Sequence, residues 1–245
     1  MNAYCKDHIG FVRLKNQDVV EIKHFDDSVL VVLCDGMGGM PRGEEASNLA
    51  VTAFIEHFST FYNNTYNDYK LTNLLRESLG AANTAVYIAS DSDPENYGMG
   101  TTLVACFANN EYFYIINVGD SRAYYLNSKS TEFEQITQDH TIVREKYERG
   151  EITKDEIQTH KMRHVLSKAV GVDGHITPDL YKIKYEPYIK ILLCSDGLHG
   201  TGKDDDIRRI MVANIDNSEK CVAKLVEYAL FALDGPDNIS VSVIN

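Results

Sequence analysis

No apolar run in this chain approaches the roughly 20 residues of a membrane-spanning helix, so no such helix is expected. The N-terminal MNAYCKDHIGF lacks the basic-then-apolar pattern of a secretory signal, and a cytoplasmic protein is expected. Cysteines are few: Cys5, Cys34, Cys106, Cys194 and Cys221. None forms a C-x-x-C pair and their number is odd, so they read as reduced thiols, not a disulfide framework. Positive charge is scarce too. Against 36 Asp and Glu stand 24 Lys and Arg, and the net charge of −12 speaks against nucleic acid or an anionic membrane as the main partner. There is no linker, internal repeat or low-complexity tail. The 245 residues are therefore expected to form one domain, 1–245. The sequons at Asn63 and Asn238 are chance matches in a cytosolic chain.

What the chain does contain is a run of short apolar segments. Strands are expected over 9–13, 18–25 and 29–34, the last buried on both faces. A helix over 43–59 follows, with Glu44 and Glu45 in its first turn, where the helix dipole favours negative charge. A second helix spans 70–90. TTLVACF, EYFYIINV and RAYYL, separated by turn residues, read as antiparallel hairpins. Residues 137–170 are charged and weakly periodic, which suits a small helical flap. Strands return at 180–186 and 189–195, helices at 204–213 and 218–233, and a last strand at 239–244. This order does not alternate as βαβα, so antiparallel sheets with helices packed outside are expected: an α+β protein.

Three segments carry carboxylates at the ends of apolar runs: VLVVLCDGMGG, ILLCSDG and GPDNISV. Asp35 and Asp196 follow their runs, and Asp237 precedes its own. A carboxylate at the end of a buried strand is costly unless something pairs with it. Taken singly, Asp35-Gly36 and Asp196-Gly197 are simple turns. Their recurrence after similar strands instead suggests an all-oxygen site for hard divalent cations, Mn²⁺ or Mg²⁺. Two such cations about 3.5–4 Å apart can share a water, lower its pKa and neutralise a phosphoryl group. Arg13, in GFVRLKNQD, is the candidate phosphate-binding cation, although an exposed edge arginine is the simpler reading. The loop Gly36-Met37-Gly38-Gly39 matches neither a P-loop nor G-x-G-x-x-G, so nucleotide binding is rejected.

GFVRLKNQD, VLCDGMGG, GEEAS, GMGTTLVACF, NVGDSRAYYL, ITQDHT, HVLSKAVG, LLCSDGL and DNISV stand in one order across residues 9–244. The series resembles the metal-dependent serine/threonine protein phosphatases of type 2C, the bacterial stand-alone members above all. The resemblance implies a sandwich of two antiparallel β-sheets flanked by α-helices, with the metal pair in a cleft at one end. It implies that Asp35 bridges both metals and that Gly36 offers a backbone carbonyl. Asp196 and Asp237 would complete the second metal's ligands, and Asp18 would hold metal-bound waters. Asp120 would join Asp196 at a third, weaker ion, Arg13 would bind phosphate, and residues 140–170 would form the flap. The implied reaction is hydrolysis of phosphoserine and phosphothreonine in proteins by a hydroxide bridging the metal pair. Substrates would include a partner serine/threonine kinase, and the resemblance favours a monomer.

Gln17 stands where many members have glutamate, and Met37 where animal members have the histidine read as general acid. Met40 replaces another histidine frequent in the bacterial loop. A metal-bound water or His160 are then the proton sources left open. His140, His160, His164 and His199 are read chiefly as surface or supporting residues. Arg163 could meet substrate from the flap or form a salt bridge within it. Two other readings stay open. One is a phosphoprotein-binding pseudophosphatase, against which the intact Asp35, Asp196 and Asp237 argue. The other is a phosphatase of small phosphometabolites, for which no cap domain is visible.

Overall fold

The computed structural model describes residues 1–37, 42–92 and 96–245. Gly38, Gly39 and Met40 of the glycine loop lie outside the described residues. Among the described residues, ten strands are arranged in two five-stranded sheets. β1 (Ala3–His8), β10 (Ile239–Ile244), β9 (Ile189–Cys194), β6 (Arg122–Asn127) and β7 (Glu132–Gln135) form one sheet in that order. β2 (Asp18–His24), β3 (Val29–Asp35), β4 (Leu103–Ala108), β5 (Tyr112–Val118) and β8 (Asp179–Lys184) form the other. Every pairing in both sheets is antiparallel.

The period-two alternation of a strand explains the layering. In β3, Val29, Val31 and Leu33 face the other sheet, while Leu30, Val32 and Cys34 face helices. Across the sandwich, β9 does the same: Ile191 and Leu193 point to the sheet interface, Leu192 and Cys194 to the far side. The unbroken apolar runs of β3 and β9 are thus strands with two buried faces. Helices α1 (Gly43–Phe61) and α2 (Asp68–Ser92) cover the second sheet through Ala46, Ala50, Phe54, Leu75, Leu79 and Val86. The first sheet is covered by α5 (Asp196–His199), α6 (Asp204–Ala213) and α7 (Ser218–Phe231), with Leu198, Ile207, Leu225 and Val226 inward. The expected α+β sandwich with helices outside is therefore observed. Between β7 and β8 lie two short helices, α3 (Ile142–Glu148) and α4 (Lys154–Thr159), within the segment expected to be a flap.

One expected strand is corrected. Residues 9–13 are not a strand; β1 lies upstream at Ala3–His8 and pairs with β10. Gly10 takes φ +79°, and a Cβ there would overlap the Asp237 carbonyl oxygen. The chain turns out of the sheet at this glycine and passes beside Asp237. Edge strand β7 escaped the sequence reading because EFEQ is short, charged and largely exposed. Among the described residues no helix is long and apolar enough to cross a membrane.

Candidate active site

The β2–β3 register sets Asp18 opposite Asp35, so the two side chains share one face. Both lie where these strands end toward the other sheet. Asp196 opens α5 two residues after β9 ends, and Asp237 lies two residues before β10. Ser195 joins the halves. Its hydroxyl donates to Asp18 Oδ2 at 2.6 Å and accepts the Ser240 N–H at 2.9 Å. One hydroxyl thus ties β2 of one sheet to β9 and β10 of the other.

Asp35 is held through its backbone. Its N–H donates to Thr102 Oγ1 at 3.0 Å, and its carbonyl accepts the Thr102 N–H at 2.9 Å. Thr102 Oγ1 lies 2.7 Å from Ser121 Oγ, so the TTL and GDSR segments support this carboxylate together. Gly36 donates its N–H to the Gln17 carbonyl at 3.0 Å, and its own carbonyl oxygen lies beside Gly43 at the start of α1. Asn238 fixes the neighbouring loop. Its Nδ2 donates to Ile9 O at 2.8 Å and Lys15 O at 2.9 Å, and its Oδ1 accepts the Gln17 N–H at 2.9 Å. Gly197 packs so close to this clamp that a Cβ would overlap the Asn238 carbonyl oxygen.

Arg13 reaches Asp237 Oδ2 through Nη2 at 2.7 Å. A guanidinium carries five N–H donors in a fork, so this contact leaves donors for a phosphate. Burial opposes the charged guanidinium, but Asp237, and beyond it Asp196 and Asp35, raise its pKa.

The electrostatics are those of crowded acids. Burial, then Asp18, Asp196, Asp120 and Asp237, lift Asp35 well above the usual carboxylate range. Burial chiefly drives Asp18 to about 7, Asp120 to about 8 and Asp196 to about 6, and neighbouring carboxylates add to each. Among the described residues the buried Oδ1 atoms of Asp18 and Asp196 have no hydrogen-bond partner. Crowding, unpartnered oxygens and an all-oxygen donor set fit hard divalent cations. Among the described residues no three His, Cys, Asp or Glu side chains close around one point. Backbone oxygens and water would therefore have to complete any ion's shell, as Mg²⁺-type ions tolerate.

Two histidines read only as surface or supporting residues prove to brace the Asp120 turn. His140 is 7% exposed; its N–H donates to Gly119 O at 3.0 Å, and its Nδ1 accepts the Gly119 N–H at 3.1 Å. Its carbonyl accepts the Ser167 N–H at 2.9 Å, which closes the neck of the 140–170 segment. Nε2 lies 3.3 Å from Asp179 Oδ2. His199, also buried, sets Nε2 3.0 Å from Asp120 O, and burial pushes its pKa down to about 3. Nothing in their periodicity marks these residues; only the ITQDHT and SDGLH contexts do. Beside them Arg122 grips Asp139 through two nitrogens at 2.8 and 2.6 Å, which holds that carboxylate below its usual value despite burial. In the flap, His160 Nδ1 accepts the Met162 N–H, whereas His164 Nδ1 lies 4.0 Å from Asp196 Oδ2. Of the flap histidines, His164 thus brings a ring nitrogen within 4.0 Å of one of these carboxylates.

The comparisons agree with this architecture. A family model described as protein phosphatase 2C matches residues 11–230. The serine/threonine phosphatase stp of Listeria welshimeri is 30% identical over 247 residues, covering 100% of this chain and 95% of that protein. PstP of Mycobacterium tuberculosis, a serine/threonine protein phosphatase, is 33% identical over 238 residues, 96% of this chain and 43% of that longer protein. The crystal structure of serine/threonine phosphatase Stp1 from Staphylococcus aureus superposes with a TM-score of 0.90 at 34% identity, covering 98% of this chain and 93% of that one. The catalytic domain of PstP, solved in complex with two manganese ions, gives 0.81 at 29% identity, with 99% and 96% covered. The chain belongs to the protein phosphatase 2C family, whose members are metal-dependent serine/threonine phosphatases.

Proposed function

We propose that this chain hydrolyses phosphoserine and phosphothreonine in proteins with the help of two divalent cations, Mn²⁺ or Mg²⁺. The observation that carries the reading is that Asp18 stands opposite Asp35 and is tied through Ser195 to the segment that carries Asp196, with Arg13 bound to Asp237. Asp35, the Gly36 carbonyl, Asp196 and Asp237 would hold the ions. Asp18 would order water from behind them, and Asp120 with Asp196 would serve a third ion. When bound, such ions neutralise the carboxylates, polarise the phosphoryl group and acidify water.

The chain's own residues supply the rest. Arg13 presents N–H donors in the plane that suits phosphate oxygens and orients the phosphoryl group beside Asp237. Ser195 and Asn238 keep the carboxylates in register across the two sheets. The bracing of Gly119 by His140 fixes the Asp120 turn to the neck of the flap. The names of the Listeria and Staphylococcus relatives support a serine/threonine phosphoprotein substrate, and the manganese complex of PstP supports the metal.

In this reading residues 1–245 act as one cytoplasmic, monomeric domain with residues 140–170 as the flap. Its substrates include a serine/threonine kinase and the kinase's targets. Asp196→Asn tests the role of the carboxylates. Turnover of a phosphothreonine peptide is expected to collapse while circular dichroism stays unchanged. Full activity in that variant would remove Asp196 from the chemistry.

A further inference from the structure

We infer that the loop carrying Arg13 selects substrate, and that the phosphoprotein segments this chain prefers bear an apolar side chain within two residues of the phosphoresidue. The inference rests on the phosphatase reading above and deepens it. Phe11, Val12 and Leu14 are 58%, 67% and 96% exposed, and Arg13 stands among them. Phe231 at the end of α7, 73% exposed, sets its ring 5.7 Å from that of Phe11. Scattered exposed apolar residues need no explanation, but a cluster beside a charged site does.

The loop is also tied down. Phe11 N–H donates to Gly235 O at 2.8 Å, and Gly10 N–H to His8 Nδ1 at 2.9 Å. The Asn238 amide holds Ile9 O on one side and Lys15 O on the other. Arg13 itself is anchored to Asp237 at 2.7 Å. A backbone fixed at both ends displays Val12 and Leu14, the chain neighbours of Arg13, to solvent. Such preorganisation lowers the ordering cost of binding.

A phosphate held by Arg13 fixes the phosphoresidue against this loop. An extended peptide advances about 3.3–3.6 Å per residue, so the backbone of residues within two positions lies within about 7 Å of the phosphoresidue, alongside the segment 11–14 that flanks Arg13. The net charge of −12 and the adjacent carboxylates disfavour an anionic bilayer as the occupant. A peptide carrying one compact phosphate and apolar neighbours matches both the cation and its surround.

The test compares two phosphothreonine peptides, one with leucine and one with serine at the flanking two positions on each side, using the full chain in saturating Mn²⁺. We expect kcat/KM to favour the leucine peptide by about ten-fold. Leu14→Ser, and separately Val12→Ser, should bring that ratio below about three, with melting temperature unchanged because both side chains are exposed. Equal turnover of the two peptides by the wild type overturns the inference and leaves the phosphatase reading standing. A ten-fold preference that survives both substitutions also overturns it. A dimer that depends on Leu14, with no change in the ratio, would reassign the patch to self-association. No release from either peptide or from para-nitrophenyl phosphate would instead sink the reading on which the inference rests.

Discussion

Asp18→Asn should stabilise the metal-free protein at alkaline pH. Asp18 is 4% exposed, and burial, reinforced by Asp196 and Asp237, pushes its pKa to about 7 although Ser195 donates to it. In the unfolded chain the same carboxyl titrates near 3.9. Below about pH 4 both states hold the proton and Asp18 imposes no penalty. As pH rises, the unfolded chain releases its proton first, so the folded state loses stability until Asp18 ionises near 7. The interval from 3.8 to about 7 corresponds to roughly 4 kcal/mol against the folded, ionised form. Proton sharing with neighbouring carboxylates and local relaxation reduce what one substitution recovers to about 2 kcal/mol. Asparagine keeps the shape and can still accept the Ser195 hydroxyl. In chelator at pH 8 the variant should melt about 4–8 °C above wild type, and the gap should shrink toward zero at pH 4. Scanning calorimetry at the two pH values reads both. A variant no more stable than wild type at pH 8 would refute the reasoning, because no buried-charge penalty would then exist at this position.

Arg13→Ala should lower kcat/KM for a phosphopeptide by about 100-fold in steady-state assays, with Arg13→Lys intermediate because an ammonium lacks the planar fork. His140→Ala leaves the buried Gly119 N–H without its acceptor, so urea unfolding should report a loss of about 2–3 kcal/mol. A Cβ at position 197 would overlap the Asn238 carbonyl oxygen and push Asp196 away from Asp237. Gly197→Ala should therefore raise the Mn²⁺ concentration for half-maximal activity by about ten-fold.

The sheets were legible because their central strands are apolar on both faces, as in β3 and β9, and because turn residues mark the hairpins. The carboxylates were legible because an aspartate ending such a strand is conspicuous. Where packing is decided by distant partners, the sequence was mute. Residues 9–13, IGFVR, have strand-like composition, yet Gly10 against the Asp237 carbonyl and the Asn238 clamp turn them into a loop. Strand β1, exposed at most positions, forms because β10 offers its edge. His140 and His199 look like flap and loop histidines, and only the fold shows the Gly119–Asp120 turn between them. Their roles depend on residues 21 and 79 positions away, beyond the reach of any periodicity.

The central claim is that divalent cations on these carboxylates drive phosphoprotein hydrolysis. Phosphate release from a phosphothreonine peptide, followed across a Mn²⁺ titration with a chelator control, tests it most directly. Release that saturates with Mn²⁺ and disappears in chelator is the predicted result. No release at any metal concentration, from protein that melts cooperatively, would contradict the claim and favour a phosphoprotein-binding role.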